Sequence, residues 1–296
     1  MFRGKSLTSV LAAAFVVFAI ALGAALTNVS QVPSKILWER DYEKAIERAQ
    51  RENKFLIADM FTDWCELCKE LDQKTFADPH LIQKMANAYV WLKLNTETED
   101  DGIRLQKEFA ILTYPTVLVL DSHGDEVDRV DRFLTATQFR TKVDSFIDNP
   151  DSLANLKKAV QAQPNSLSVR YALAEKLLDR NNYAKAGREF EKVIELDPEN
   201  REGKTDLSHY NLALCLASQE KFVEAIIQLD TLETRFANST AVADAKVLRG
   251  QIYRCCNRLD EAQAVLREYM QKYPTQGHIQ EVENLLATME AESQGK

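Results

Sequence analysis

Glycine and proline are scarce, 9 and 7 among 296 residues, so there is little room for long flexible linkers and most of the chain should be regular structure. Cysteine is scarce too: five, widely scattered, are too few for a small fold held together by disulfides, and each is read by its position. Positive charge is in deficit, with 37 lysines and arginines against 45 acidic residues and a net charge of −8. A nucleic-acid binder would need a basic face, so that class is set aside. What is present suits folded domains: 45% apolar and 28% charged residues. The length accommodates about two domains.

The N-terminal stretch is read apart from the fold. Arg3 and Lys5 precede a long uncharged stretch that ends at Lys35, within which residues 10–26 are almost purely apolar. The run lies at the lower limit for a membrane span and just above the length of a signal-peptide apolar region. Residues 1–30 are therefore expected to form an uncleaved signal anchor, with a cleaved signal peptide as the alternative. Basic residues before the run favour a cytoplasmic N-terminus, which would put the working domains on the periplasmic side of a bacterial-type inner membrane.

Residues 36–148 alternate between helix and strand. Tyr42, Ala45, Ile46 and Ala49 recur at helical spacing behind Asp41, placed as a cap, and predict a helix over 41–54. The apolar runs 55–61, 89–95 and 116–121 read as buried strands, and the alternating segment 126–133 as an edge strand. A helix broken at Asp78-Pro79 and then resumed, and helices at 101–110 and 135–147, complete an α/β sheet, with antiparallel pairing across Ser122–Asp125.

Cys65 and Cys68 follow the first central strand and open a helix. A helix N-terminus favours a thiolate at Cys65, and Cys68, one turn on, can resolve a mixed disulfide. A structural zinc site would need two further ligands at similar spacing, but there is no second C-x-x-C, and His80 and His123 are not a matching pair. Two inert buried thiols are the bland alternative. The position after a strand favours a redox pair.

Asp59 lies six residues before Cys65, Trp64 directly precedes it, Lys93 sits on the next strand, and Tyr114-Pro115-Thr116 leads into another. This set, in this order, resembles the thioredoxin superfamily. The stretch "DMFTDWCELCKELDQKTFADPHL" is similar to the C-terminal thioredoxin-like domain of the membrane thiol:disulfide interchange protein DsbD and its relatives. The resemblance covers about residues 38–146. It implies a nucleophilic Cys65, a resolving Cys68, a buried Asp59 that exchanges the Cys68 proton, and a Lys93 that tunes that acid. It also implies that Trp64, Tyr114, Pro115 and Thr116 meet the substrate, with Pro115 in the cis form. No cofactor is called for. Two departures stand out. Glu66-Leu67 replaces the Gly-Pro of thioredoxin, and a carboxylate beside Cys65 opposes its thiolate, which points to a reducing or isomerase-like pair. The glycine expected after the last strand is absent near Arg129–Leu134.

From Asp151 to the C-terminus the pattern is helical throughout. Leu173-Ala174, Ala186, Phe190 and Pro198 fall at tetratricopeptide-repeat spacing, as do Leu212-Ala213 with Ala225, and Gly250, Tyr253, Ala262 and Pro274. Residues 152–164 resemble the second helix of a degenerate leading repeat, and 278–291 a terminal cap. The expected architecture is thus an α/β thioredoxin-like domain (36–148) followed by an all-α TPR-like helical solenoid (151–296). Such arrays present a concave surface for proteins. Cys215, Cys255 and Cys256 fall in first helices of the repeats and are expected to be small packing residues.

The reading that follows is an envelope-facing thiol–disulfide oxidoreductase. Its substrates are protein thiols and disulfides, its repeats recruit a client or redox partner, and an external electron donor recycles the pair. With a single apolar segment, this sequence offers no route for carrying electrons across a membrane itself. The alternative is a thioredoxin-fold/TPR co-chaperone without essential redox chemistry, which would need none of Cys65, Cys68, Asp59 or Pro115.

Overall fold

The computed structural model describes residues 33–275 and 277–294. The apolar segment on which the anchor reading rests lies outside them, and no described helix is long and apolar enough to cross a membrane.

The first part of the chain builds a five-stranded mixed sheet. Its elements are β1 (Trp38–Glu39), α1 (Tyr42–Glu52), β2 (Leu56–Phe61), α2 (Glu66–Glu70) continued by a π-helical turn at Leu71–Phe76, α3 (Pro79–Met85), β3 (Val90–Asn95), α4 (Asp100–Glu108), β4 (Thr116–Leu120), β5 (Glu126–Val130) and α5 (Ala136–Asp148). The strand order is β1-β3-β2-β4-β5. β2 runs parallel to β3 and antiparallel to β4, and β4 pairs antiparallel with β5. Local chemistry marks the helix starts: Asp41 accepts from the Lys44 amide, Asp78 accepts from His80 and Leu81 ahead of Pro79, and Thr135 forms a capping box with Gln138. β1 was not anticipated, because two residues carry no periodicity.

Strand alternation divides the core. Leu56, Ala58 and Met60 pack with Leu92, Leu94, Leu118 and Leu120 against α1 and Leu105. Ile57, Trp91, Val117 and Val119 face the other way, against Phe76 and the α5 residues Phe139, Val143 and Phe146. Asp59 and Lys93 have the parity of this second face, opposite each other in the parallel register.

The helices that follow are α6 (Leu153–Ala162), α7 (Leu167–Asp179), α8 (Tyr183–Leu196), α9 (Thr205–Ala217), α10 (Phe222–Arg235), α11 (Ala241–Cys255), α12 (Leu259–Lys272) and α13 (Ile279–Gln294). α7 packs on α8, α9 on α10 and α11 on α12, with Ala186, Ala225 and Ala262 wholly buried where the helices meet. Three successive apolar clusters run through the array, as expected of units that bury their faces only against neighbours.

β5 does not behave as a free edge. All five of its residues are buried, because α6 packs on it and two cations reach it, Lys176 from α7 and Arg180 from the C-cap of that helix. Asp128 is bonded to Arg180 and lies 2.9 Å from the Lys176 ammonium, while Arg129 forks onto Glu126 at 2.6 and 2.7 Å and donates to the Phe109 carbonyl at 2.8 Å. Asn155 ties the junction, donating to the carbonyls of Ile147 and Asn149, each at 2.9 Å.

Candidate redox site

β2 delivers the chain to the site. After Phe61 the backbone turns through Thr62, Asp63 and Trp64, and Cys65 takes the N-cap position of α2, its N–H donating to the Thr62 carbonyl at 3.2 Å. The Cys65 sulfur accepts the Cys68 amide at 3.1 Å, so one sulfur sits directly over the open donors of the helix start. The two cysteines form a disulfide, S–S 2.05 Å, with Cα atoms 5.3 Å apart. Both are buried in this oxidised state, Cys65 at 4% exposure and Cys68 at 2%, while Trp64, Leu67 and Leu112 are exposed at 63%, 48% and 64%.

The strand that leads to Cys65 and the turn that continues α2 share a charge cluster. The Asp59 carboxylate is inaccessible to solvent; Oδ2 is bonded to the Lys93 ammonium and Oδ1 has no hydrogen-bond partner. Lys93 is itself buried and reaches a second carboxylate, Asp72 Oδ1, at 2.6 Å. Its ammonium also sits 4.7 Å from the centre of the Phe61 ring. Burial pushes the Asp59 carboxyl above its ordinary pKa; Lys93 opposes this and Asp72 reinforces it. Asp72 was not singled out in the sequence. It sits in the π-helical turn, four residues after Cys68, and that spacing on the helix that opens at Cys65 was the available signal.

The opposite wall comes from the loop before β4. The Tyr114–Pro115 peptide is cis, and Pro115 and Thr116 are buried. The Tyr114 ring meets Trp64 edge-on at 5.8 Å, and its hydroxyl is held between Thr96 Oγ1 at 2.6 Å and Gln106 Nε2 at 2.8 Å. Trp64 in turn donates its indole N–H to Glu97 at 2.9 Å. Asn95 anchors this corner: its amide nitrogen donates to Asp63 at 3.0 Å, and its amide oxygen accepts the Glu97 N–H at 2.9 Å. Close packing of α4 beneath it requires glycine at 102, since a Cβ there would stand 2.0 Å from the Asn95 carbonyl oxygen.

The structure therefore joins Lys93 to Asp59 and Asp72, and sets Tyr114 against Trp64, the residue before Cys65, while β2 carries Asp59 and leads to the Cys65–Cys68 disulfide. The other cysteines divide. Cys215 is buried in the repeat core, where burial pushes its thiol up to about 12, as a packing residue should be. Cys255 and Cys256 are exposed at the end of α11, which corrects the expectation that they pack: the helix stops at this pair, past Ile252, its last buried residue.

Residues 37–122 match the family described as Thioredoxin-like, and residues 148–205 match the Tetratricopeptide repeat family. The chain thus joins a thioredoxin-like domain to tetratricopeptide repeats. It is 33% identical over 102 residues to the thiol:disulfide interchange protein DsbD of Pseudoalteromonas atlantica, and 37% identical over 90 residues to that of Haemophilus ducreyi. These stretches are 33% and 30% of this chain but only 17% and 16% of those relatives, so the chain spans about a sixth of their length. Among solved structures, the oxidised C-terminal domain of Neisseria meningitidis DsbD is similar at 23% identity and a TM-score of 0.33, covering 37% of this chain and 98% of that one.

Proposed function

We propose that the protein is a thiol–disulfide oxidoreductase working as a reductant or isomerase on protein disulfides. The observation that carries this reading is the Cys65–Cys68 disulfide at a helix start, with a buried and protonatable Asp59 on the strand that leads to it. In the reduced protein the Cys65 thiolate attacks one sulfur of a substrate disulfide and forms a mixed disulfide, releasing the other sulfur as a thiolate that takes up a proton. Cys68 then gives its proton to Asp59 and attacks the Cys65 sulfur. The Cys65–Cys68 bond forms, the mixed disulfide breaks, and the substrate leaves as a dithiol with two electrons gained. Asp59 Oδ1, buried and without a partner, supplies the acceptor for that proton. Lys93 sets how readily the carboxylate ionises.

Trp64 and the backbone of the Tyr114-Pro115-Thr116 segment receive the substrate strand, and the exposed side chain of Leu67, between the two cysteines, provides apolar contact. Glu66, directly after Cys65, disfavours the thiolate and supports the reducing direction. The repeats recruit a client or redox partner, and an external dithiol donor restores the pair. The basic and apolar character of residues 1–30 supports a membrane anchor that holds both domains in the periplasm, or a signal peptide that releases them there.

Reduction of insulin disulfides tests the reading. The wild type should precipitate the insulin B chain in the presence of a dithiol reductant, and Cys65→Ser should not. Equal inactivity of both proteins, with both suppressing client aggregation, would replace this reading with the co-chaperone.

A further inference from the structure

A cavity of about 520 Å³, which the exchange chemistry does not use, opens between the end of β5, α5 and α7. Strand direction places it. β2 and β5 both run antiparallel to β4, so they end at the same edge of the sheet, where β2 hands the chain on to Cys65 and Pro115 leads into β4. Val130, in the cavity wall, pairs with Val117, two residues after Pro115, and Val117 pairs with Asp59. At about 4.8 Å per strand, Val130 stands about 10 Å across the sheet from Asp59. Leu134, another wall residue, accepts the Thr75 hydroxyl at 2.6 Å through its carbonyl, which ties the cavity to the turn that continues α2.

The lining inverts the charge of the chain. It holds five lysines and arginines against three aspartates in a protein of net charge −8. Arg180 is 9% exposed and bonded to Asp128, yet its Nε has no hydrogen-bond acceptor; the Glu126 carboxylate stands 3.8 Å from it. Asp131 lies 3.7 Å from Arg180 Nη1 and 3.6 Å from Arg132 Nε, too far to hydrogen-bond either. Lys142 makes no ion pair among the described residues; its ammonium lies 5.4 Å from the centre of the Phe146 ring. The cavity thus keeps cationic donors that its own carboxylates leave underused, one of them on a buried guanidinium that the protein has already desolvated.

We propose that this cavity receives a carboxylate side chain of the polypeptide whose disulfide is exchanged at Cys65, so that the first repeat helps to choose the substrate. The inference rests on the thiol-exchange reading above and names its substrate class: extended polypeptides with an acidic residue a few positions from the reactive cysteine. About four extended residues cover the 10 Å from the Asp59 row to Val130 and the entrance beyond it. Arg132 and Lys142 draw the carboxylate in, and Arg180 fixes it by a charge-assisted hydrogen bond. A small disulfide that does not reach the seam gains nothing from it.

The test uses the reduced full-length protein and two disulfide-linked peptide dimers, with glutamate or glutamine four residues to either side of the cysteine. The net charge of the protein alone would favour the glutamine peptide, so the opposite preference is diagnostic. The glutamate peptide should react about 10-fold faster at low ionic strength and about 3-fold faster in 0.5 M salt. Arg132→Gln with Lys142→Gln, both exposed positions, should cut the low-salt ratio to about 2. Lys192→Gln with Lys221→Gln makes the same change of charge at exposed positions further along the repeats and should leave the ratio unchanged. Equal rates for the two peptides, or a preference that the Arg132 and Lys142 changes leave intact, overturn this inference and leave the dithiol reading standing. A control pair that lowers the ratio as far as the cavity pair also overturns it, since the effect would then be a long-range field. No reaction of either peptide beyond that of Cys65→Ser overturns the dithiol reading and this inference with it.

Discussion

Lys93 stands opposite Asp59 in the parallel register of β2 and β3, and its ammonium is bonded to a carboxylate that no solvent reaches. A second carboxylate, Asp72, shares the same ammonium from the turn that continues α2. The acid on the strand that leads to Cys65 is therefore adjusted by two neighbours of opposite sign, and its tuning can be varied in both directions.

The disulfide-exchange rate should rise with pH through an ionisation above the ordinary aspartate range, since Asp59 must be charged to accept a proton. Asp59→Asn should lose about 100-fold in rate and flatten that limb. Lys93→Met removes the influence that lowers the Asp59 pKa, so the limb moves to higher pH; Asp72→Asn removes one that raises it, so the limb moves to lower pH. Stopped-flow pH profiles of the three variants check the order.

At the domain seam, Asp128 is 1% exposed and bonded to Arg180, with Lys176 at 2.9 Å. Removing one partner of a buried ion network leaves the others uncompensated. Asp128→Ala should therefore destabilise the protein by about 3–5 kcal/mol, far more than removal of an exposed pair such as Lys192–Glu195. Chemical denaturation read on both domains measures the difference.

His209 in α9 is 5% exposed, bonds Gln228 through Nδ1 at 2.8 Å, and leaves Nε2 buried without a partner. Burial holds its pKa below the usual value; Gln228 works against this and Arg235 adds to it. Below about pH 6.5 the unfolded chain binds a proton here that the folded repeat resists, so the stability contribution is present above that pH and lost as pH falls toward the depressed folded value. Thermal melts between pH 7.5 and 5 should show an acid-induced loss that shrinks in His209→Gln.

Much of this architecture is written in local chemistry. The strands at Leu56–Phe61, Val90–Asn95 and Thr116–Leu120 are apolar runs broken only by a few polar residues such as Asp59 and Lys93, and the equivalent alanines 186, 225 and 262 mark the helix contacts of the repeats. Cys65 and Cys68 could be chosen because they follow a strand and open a helix, and Asp59, Trp64, Lys93 and Tyr114 because of the family resemblance that their order carries. Asp72 offered only its spacing after Cys68, and Glu97 no signal at all, because each acts through a contact that depends on where a turn places it. β5 shows a different limit. Its alternation of Val127 and Val130 with charged residues reads as an edge with one wet face, yet α6 and α7 cover that face and pair its charges, a long-range event that no window of sequence contains.

The most direct test of the central claim is to trap the exchange intermediate. Cys68→Ser leaves Cys65 able to attack but removes the thiol that would release the product. Expressed as the full chain and isolated without reductant, this variant should carry partner proteins bound covalently through Cys65, freed by dithiothreitol and absent from Cys65→Ser with Cys68→Ser. A Cys68→Ser protein that carries no such adducts, while the wild type is folded and present at the same level, would contradict the account.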